Sequence, residues 1–396
     1  MSRVFITAAG VASPLGTGTD EFYKNLHNQT IGVDTISSFD ISHFPSVVGG
    51  EVRKDGCVVK LPSRIDRKEV FIKEAVSQLP LEQIRKYKPE HRLLHMGTGI
   101  DYFDFFGYIE KKETKDWTDF SLRAHAIGKM LADEYEITGG HFVNVSACVA
   151  STQAIGLSYK ILKKNNEIMI LTGGFDSMLS HIHYMGFYSL GALSTWKGES
   201  SRACRPFDKN RSGLVIGEGG VAYILEGEEF VNKENILCEI VGYATTMDSY
   251  MVTDPHPDGS MLALAAKKAF DDAGITADAI DAVDMHGTGT IKNALAEFAA
   301  MKQIFPERYK EIPVFALKGQ IGHLIGACGA MELLGVIDMI RHQRILPSVN
   351  CDEPDPQIPL RLIQKEPLSH KIDYVLKINA AFGGQNTAMV IQRYDP

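Results

Sequence analysis

The feature that most constrains the fold is a repeated order of elements in the two halves of the chain. In the first half a β-rich run leads to "SAC" and a long amphipathic stretch, and in the second a similar run leads to "KGQIGHLIGACG" and another. Each half then closes with a Gly-rich turn and an apolar strand, "GLVIGEGGVAYILEG" and "AAFGGQNTAMVIQRY". Strands that alternate with amphipathic helices are typical of layered α/β folds. The order therefore predicts two similar α/β halves that face each other, residues 1–235 and 236–396.

Composition and charge narrow the class of protein. The chain has 396 residues, of which 44% are hydrophobic, enough to bury a large core. Its formal net charge is -8, and no basic stripe offsets this balance, which argues against a nucleic-acid-binding protein. The N-terminus enters a strand-like run without the basic and apolar regions of a signal peptide, and no apolar run reaches membrane-spanning length. We expect a soluble, cytosolic protein.

The six cysteines are scattered, and none forms a CxxC pair, so the sequence indicates neither a zinc site nor a disulfide framework. Cys148, in "FVNVSACVASTQAIGL", stands between a β-branched run and a helix-tolerant segment. A cysteine at the start of a helix faces unpaired N–H groups and the positive end of the helix dipole, which favour the thiolate. Free cysteines are also often buried as small hydrophobic residues. Taken alone, Cys148 is more readily a core residue than a nucleophile.

Two histidines favour the catalytic reading. His286 follows an apolar strand in "DMHGTGT", and Lys318 and His323 lie in the Gly-rich loop "LKGQIGHLIGACG" before a helix. Each histidine alone could be a structural loop residue. A cysteine and two histidines in three strand-end loops, however, fit a nucleophile with two hydrogen-bond donors around one pocket. The segment "AAFGGQN" adds a turn whose backbone N–H groups could bind an oxyanion.

The ordered motifs "SAC", "RPFDKNRSGLVIGEG", "DMHGTGT", "KGQIGHLIGACGAME" and "AFGGQN" make the chain resemble the elongating β-ketoacyl-[acyl-carrier-protein] synthases of the KAS I/II type, in the thiolase superfamily. The resemblance covers nearly the whole chain. It implies the thiolase fold, in which two duplicated βαβαβαββ halves form a five-layered α/β/α/β/α arrangement. It also implies a dimer.

The resemblance assigns roles to individual residues. Cys148 matches the acyl-accepting nucleophile, and His286 and His323 match the two active-site histidines. Lys318 and Glu332 match a supporting charged pair, and Phe382 matches the gating aromatic residue. The remaining expected contacts are to the substrate or its phosphopantetheine arm, at Thr288, Thr290, Ile100, Phe187 and Gly383. The basic cluster Arg64, Arg67 and Lys68 is expected either to dock an acidic carrier protein or to form a solvated helix face.

The implied reaction is a decarboxylating Claisen condensation. An acyl group held as a thioester on Cys148 is extended by two carbons from malonyl carrier protein, without a metal or redox cofactor. The expected partners are acyl carrier protein and a second subunit, either an identical chain or one similar to a chain-length factor. Two alternatives remain at this point: a non-catalytic subunit that sets chain length, and a Cys-dependent acyltransferase or hydrolase.

Several positions depart from the usual pattern of the family. Ala381 replaces a glycine before the gating residue and is expected to stiffen that turn, because alanine resists positive φ. Gln385 and Gly319 replace a threonine and a serine, and Asp101 and Tyr102 replace a glycine pair beside the acyl pocket. These departures suggest a specialised synthase, for a polyene or another secondary metabolite. Cys328 is expected to be a packing residue.

Overall fold

The computed structural model describes residues 2–62, 65–101, 113 and 123–395. Within these ranges the α-helices are α1 (Thr19–His27), α2 (Arg67–Ser77), α3 (Leu81–Arg85), α4 (Arg123–Glu134), α5 (Ala150–Leu162), α6 (His181–Ser189), α7 (Ser260–Ala273), α8 (Ile291–Ile304), α9 (Lys318–Ile321) and α10 (Cys328–His342). Single 3₁₀ turns lie at Pro89–His91, Ala147–Val149, Ser200–Arg202, Lys233–Asn235, Ala277–Ala279 and Ile325–Ala327.

The strands of the same ranges are β1 (Val4–Ser13), β2 (Gly16–Thr17), β3 (Val33–Thr35), β4 (Val48–Gly50), β5 (Arg53–Lys54), β6 (Cys57–Val58), β7 (Arg92–Thr98), β8 (His141–Val145), β9 (Met169–Ser177), β10 (Ile216–Gly227), β11 (Cys238–Met247), β12 (Ala282–Asp284), β13 (Pro313–Phe315), β14 (Arg344–Ile345), β15 (Arg361–Leu362), β16 (Leu368–Ser369), β17 (Tyr374–Ala380) and β18 (Gln385–Gln392).

The main sheet consists of two similar halves. One half has the strand order β1-β10-β9-β7-β8 and the other has β11-β18-β17-β12-β13, with β15 at its outer edge. In each half the first two pairings are antiparallel and the next two are parallel. The halves join where β1 pairs with β11, from Val4 opposite Ile240 to Ile6 opposite Cys238. This correspondence confirms the predicted duplication.

Two helices form the layer between the halves. Helix α5 packs on β7 and β9 of one half and on β11 of the other, and α10 packs on α5, β9 and β17. Every residue of α10 from Cys328 to Ile340 is buried, as expected of a helix that is enclosed on all sides. Helix α2 covers the outer face of the first half, and α7 covers that of the second. The layers are therefore α/β/α/β/α, as the resemblance implies.

Local signals in the sequence set the ends of these helices. The Asp66 carboxylate accepts a hydrogen bond from the backbone N–H of Lys68 at 2.9 Å and so caps the first turn of α2. Helix α7 ends at Gly274, whose φ of 70° is the left-handed conformation that terminates many helices. No helix within the described ranges is both long enough and apolar enough to cross a membrane.

Candidate active site

Cys148 lies at the junction of a strand and a buried helix. Strand β8 ends at Val145, a single 3₁₀ turn carries Cys148, and α5 begins at Ala150. Ala147 has a φ of 48°, a conformation that is uncommon for a residue other than glycine and often marks a functional turn. The side chain of Cys148 is 5% exposed and lines a cavity of about 330 Å³. The buried thiol therefore borders a partly open cavity.

The ionisation of this thiol differs from the expectation for a helix start. Burial raises the pKa of Cys148 to about 12, although the Lys318 ammonium and the backbone N–H of Phe382 act in the opposite direction. The enclosed position removes the thiolate from water, and this cost exceeds the stabilisation from the helix end. The expectation of a preformed thiolate is therefore wrong. The nucleophile must lose its proton when the substrate arrives.

His286 is held from two directions. It follows β12, and its backbone N–H donates to the Glu297 carboxylate at 2.6 Å, while the next N–H, of Gly287, donates to the same carboxylate at 3.0 Å. The carbonyl oxygen of His286 accepts a hydrogen bond from the Lys318 ammonium at 2.5 Å. Glu297 is fully buried on α8, and burial raises its pKa to about 7. These contacts fix the loop that carries the imidazole.

The contacts of the His286 ring determine its tautomer. The Lys318 ammonium lies 3.2 Å from Nδ1, and the side-chain amide nitrogen of Asn379 lies 3.1 Å from it. Both groups only donate, so Nδ1 is the acceptor and a neutral ring carries its proton on Nε2. Burial, together with the nearby positive charges, holds the pKa of His286 well below its ordinary value. The imidazole therefore remains neutral at physiological pH.

His323 reaches the same tautomer through neutral partners. Its Nδ1 accepts the backbone N–H of Ile325 at 3.0 Å and lies 3.2 Å from Sγ of Cys328. Burial lowers the pKa of His323 to about 3, an effect that the Lys318 charge strengthens. Cys328 is 1% exposed, as a packing residue should be, but it also contacts a site residue. This second role was not predicted from the sequence.

The three predicted site residues converge. The ligand atoms of Cys148, His286 and His323 all lie within 4.8 Å of one another. The two imidazole rings are perpendicular, with centroids 5.3 Å apart. A thiol nucleophile thus faces two neutral imidazoles whose Nε2 atoms carry protons. Such a set can hold a carbonyl oxygen by two N–H donors close to the sulfur atom.

A buried network of charges lies behind His286. The Lys318 ammonium pairs closely with the Glu332 carboxylate, as the sequence predicted. The structure adds Lys377, whose ammonium lies 2.5 Å from Glu332 and 2.9 Å from Asp284. Two ammonium groups therefore face two carboxylates, and all four side chains are at most 1% exposed. The sequence signal that marked this network was a lysine within the largely apolar strand "YVLKINA".

Other predicted contact residues divide into two groups. The cavity that holds Cys148 is also lined by Phe187, Thr288, Thr290 and Phe382. Ile100 is 41% exposed and does not line this cavity. Gly383 does not line it either; its backbone N–H donates to the carbonyl oxygen of Val252 at 2.7 Å.

The docking prediction is wrong for two of its three residues. The guanidinium of Arg67 is 13% exposed and forms a close bidentate pair with Glu218. Lys68 is 2% exposed, and its ammonium lies 3.0 Å from Asp176. Buried and paired charges cannot form an exposed docking surface. Arg64 lies outside the described residues.

The departures from the family pattern have local explanations. Ala381 has no positive φ, so its methyl group does not strain the turn, and the expected stiffening on that ground is wrong. Gln385 accepts a hydrogen bond from Gln153 at 2.9 Å.

A Cβ atom at Gly319 would lie 2.3 Å from the carbonyl oxygen of Val349, which accounts for glycine there. Asp101 accepts the backbone N–H of Ala124 near the start of α4 at 3.0 Å, and Tyr102 lies outside the described residues.

Comparison with known proteins identifies the family. The model described as "Beta-ketoacyl synthase, N-terminal domain" matches residues 1–230, and the model described as "Beta-ketoacyl synthase, C-terminal domain" matches residues 237–352. Together they match more than half of the chain. The chain therefore belongs to the β-ketoacyl synthase family.

Individual relatives match over their full length. The 3-oxoacyl-[acyl-carrier-protein] synthase 2 of Staphylococcus aureus (strain COL) is 29% identical, with 99% of this chain and 99% of that protein covered. The protein of the same name from Coxiella burnetii is also 29% identical, with 99% and 98% covered.

Solved structures have the same fold. One is the AntDE:AntF structure, described as a type II PKS acyl-carrier protein in complex with its ketosynthase bound to the hexaketide. Its TM-score is 0.88 and its sequence identity is 26%, with 99% of this chain and 100% of that chain covered. A β-ketoacyl synthase from Burkholderia phymatum STM815 has a TM-score of 0.85 and 27% identity, with 100% of both chains covered.

Proposed function

We propose that this chain is a 3-oxoacyl-[acyl-carrier-protein] synthase that performs a decarboxylating Claisen condensation. The observation that carries the proposal is the convergence of Cys148, His286 and His323 within 4.8 Å along one cavity. The relatives named 3-oxoacyl-[acyl-carrier-protein] synthase 2 support it over nearly their full length.

The first half-reaction loads the cysteine. Sγ of Cys148 attacks the carbonyl carbon of an acyl carrier thioester as the thiol gives up its proton, and the leaving pantetheine sulfur takes up a proton in its place. The oxyanion is held by the backbone N–H groups of Cys148 and Phe382. The Phe382 N–H faces Sγ of Cys148 and acts to lower the pKa of the thiol. The product is an acyl thioester on Cys148 and a free carrier thiol.

The second half-reaction forms the carbon–carbon bond. Nε2–H of His286 and of His323 donate to the thioester carbonyl oxygen of malonyl carrier protein. The bond to the carboxyl group breaks, carbon dioxide leaves, and the electron pair is delocalised into the enolate that the two donors stabilise. The enolate carbon then attacks the acyl carbon on Cys148, the bond from that carbon to Sγ breaks, and the departing thiolate takes up a proton from water. The product is a β-ketoacyl carrier thioester longer by two carbons.

We propose that these steps need no metal or redox cofactor, because the thioester carbonyl oxygen accepts the electron pair and two neutral N–H donors stabilise it. Cys148, His286 and His323 are placed so that they could hold a metal ion. The proposal therefore predicts that dialysis against a chelator leaves condensation unchanged and that added Zn²⁺ inhibits it. Loss of activity on chelation that Zn²⁺ restores would contradict the metal-free mechanism.

The experiment that tests the function is intact-mass measurement of the protein after acyl carrier protein and then malonyl carrier protein are added. The wild type should gain one acyl group and then release a β-keto product with carbon dioxide. Cys148→Ala should lose both steps, and Cys148→Gln should decarboxylate malonyl thioester without condensing it. Cys204→Ala is the matched control, because Cys204 is also buried but is not among the described residues that line the cavity.

Other outcomes identify the alternatives. Hydrolysis of the acyl group without condensation would indicate a thiol hydrolase. Absence of acylation in the wild type would indicate a non-catalytic subunit. Condensation that survives Cys148→Ala would exclude the proposed nucleophile.

We propose that the functional particle is a dimer, with either a second copy of this chain or a partner similar to a chain-length factor. Strand β8 lies at the edge of the sheet and exposes Phe142 and Val145 by 44% and 46%, beside Leu157 of α5 at 45%. An exposed apolar edge strand invites pairing with another chain. Light scattering of the purified chain, with co-purification from the native host, distinguishes one copy, two copies and a mixed pair.

The proposed domain organisation has halves at residues 1–235 and 236–396, a boundary supported by the start of β11 at Cys238. We also propose a cytoplasmic location, which suits a reaction that needs the Cys148 thiol in its reduced form. Fractionation of the native host tests the location. A role in secondary metabolism is proposed from the similarity to a type II PKS ketosynthase and is tested by product analysis.

A further inference from the structure

We propose that Lys377 is a positioning residue for His286, a role that rests on the proposed function. Its ammonium group fixes the Glu332 carboxylate, which in turn holds the two donors that face Nδ1 of the imidazole. Lys377 does not contact the cavity that holds Cys148. It acts through other residues.

Lys377 occupies an unusual place for a lysine. It lies in the middle of β17, between Asp284 of β12 and Met389 of β18, and its side chain is 1% exposed. A lysine is seldom fully buried unless it is paired, because removing the ammonium from water is costly. Here the ammonium contacts Asp284 at 2.9 Å and Glu332 at 2.5 Å. Lys377 therefore bridges two carboxylates from different elements.

The path from Glu332 to His286 is short. The Glu332 oxygen that contacts Lys377 also accepts the amide N–H of Asn379 at 2.7 Å. Its other oxygen pairs with the Lys318 ammonium. The amide nitrogen of Asn379 and the ammonium of Lys318 lie 3.1 and 3.2 Å from Nδ1 of His286. A shift of one carboxylate would therefore displace both donors.

The amide of Asn379 has one orientation. Its nitrogen donates to Glu332, which only accepts, and its oxygen accepts the Thr152 hydroxyl at 2.7 Å. The nitrogen must then face Nδ1 of His286, so the ring proton is placed on Nε2. This requirement links the buried network to the donor that the reaction uses.

The charge balance shows why an ammonium is needed at position 377. Without it, Asp284 and Glu332 would share the single positive charge of Lys318. The second oxygen of Asp284 has no hydrogen-bond partner among the residues that the structure describes, so the contact with Lys377 is the main compensation for this buried carboxylate. Burial raises the pKa of Asp284 to about 7 even with Lys377 beside it. The positive charges of Lys318 and Lys377 also help to hold the pKa of His286 below its ordinary value.

The test replaces Lys377 by methionine, which keeps the length of the side chain and removes its charge. Nitrogen-15 NMR of the histidines should show that His286 in Lys377→Met populates the Nδ1–H tautomer and takes up a proton at a higher pH than in the wild type. In the Cys148→Gln background, decarboxylation of malonyl thioester should fall by at least about tenfold, as for other residues that orient a reacting group. As the pH is lowered, this decarboxylation activity should begin to fall at a higher pH than in the protein that keeps Lys377.

Two further variants separate positioning from stability. Lys68→Met removes an equally buried ammonium, paired with Asp176, and should lower the melting temperature but leave the His286 resonances unchanged. Lys377→Met/Asp284→Asn removes one charge of each sign. It should be more stable than Lys377→Met, yet keep the altered tautomer, and it preserves the test if the single variant does not fold.

The proposal would be overturned if, in both Lys377 variants, His286 kept its tautomer and decarboxylation fell off at the same acidic pH as with Lys377 intact. The melting temperature would not change that conclusion. If the Cys148→Gln protein with Lys377 intact did not decarboxylate malonyl thioester, the proposed function would fail instead. The imidazole resonances would still report on Lys377. The two failures are therefore distinguishable.

Discussion

The two active-site histidines present the same tautomer to the cavity, but they are held by different kinds of groups. Nδ1 of His286 faces an ammonium and an amide that belong to a buried network of four charges. Nδ1 of His323 faces a backbone N–H and a thiol that lie two and five residues further along the chain. The first arrangement depends on distant elements, and the second is local. A change in the support of His286 should therefore cost much more than a change in the support of His323.

The largest effect is expected for Lys318→Met, which breaks the support of His286 at its centre. The variant removes the donor to both Nδ1 and the carbonyl oxygen of His286 and leaves Glu332 with one ammonium instead of two. Breaking a buried ion pair from one side costs about 3–5 kcal/mol of folding free energy. We expect condensation to become undetectable and urea unfolding to show a loss of this size.

The control for that variant is Lys267→Met, which removes an exposed ammonium paired with Asp271 on α7. Its stability and activity should match the wild type, because exposed pairs of this kind contribute little. If Lys318→Met unfolded at the same urea concentration as the wild type, the charged network would not be the main support of this region.

How far the sequence predicted this arrangement depends on the distance between the interacting residues. Cys148, His286 and His323 stand in loops with recognisable neighbours, so their convergence could be predicted from motifs. Lys377 and Asp284 become neighbours only because β12 and β17 pair in parallel, 93 residues apart along the chain. Such a pairing is set by the topology of the whole sheet, so the lysine in "YVLKINA" stands out in the sequence but its partner does not.

Burial explains two of the expectations that failed. A run of charges such as "SRIDRKEVF" has the same composition on a surface helix and on one that packs against a sheet. Arg67 and Lys68 are enclosed because α2 covers β1, β9 and β10, where Glu218 and Asp176 lie. The pKa of Cys148 was misjudged for the same reason, since a helix start is visible in the sequence but desolvation is not.

The protonation of the two histidines between pH 8 and 5.5 tests the comparison between them at an intermediate level. Both His286 and His323 should stay neutral, although different groups hold them. A histidine with the ordinary pKa of 6.5 would be about nine-tenths protonated at pH 5.5. The pKa of His323 is lowered to about 3 and that of His286 lies well below its usual value, so neither should titrate between pH 8 and 5.5. Nitrogen-15 NMR should show both rings as Nε2–H tautomers throughout. A ring that titrates near pH 6.5 would show that its support fails.

The same pKa shifts have a consequence for stability. Because the folded-state pKa of each histidine lies below the unfolded value, the unfolded chain binds more protons as pH falls below 6.5. Each histidine then lowers the free energy of unfolding by up to about 1.4 kcal/mol for each unit that the pH falls. Above pH 7.5 this loss of stability is absent. Comparison with His323→Gln isolates it from the buried carboxyl groups: the wild type should lose more stability than the variant between pH 7.5 and 5.5.

The smallest effect is expected for Cys328→Ala, which removes one of the two groups that face Nδ1 of His323. The backbone N–H of Ile325 at 3.0 Å remains, so the ring keeps its tautomer without the thiol. A weak S–H donor at 3.2 Å adds less than an ordinary hydrogen bond, and the rate of decarboxylation should fall by no more than about threefold. Stability should fall by about 1 kcal/mol, as for a typical core substitution.

Cys351→Ala is the matched control for Cys328→Ala, because Cys351 is 3% exposed and does not contact either histidine in the described part of the chain. Both variants should lose similar stability, and only Cys328→Ala should alter the rate. A loss of tenfold or more in Cys328→Ala, recovered in Cys328→Ser, would mean that His323 depends on a side-chain donor. In that case the two histidines would differ only in the charge of their partners, and the local support of His323 would be no more tolerant than the distant support of His286.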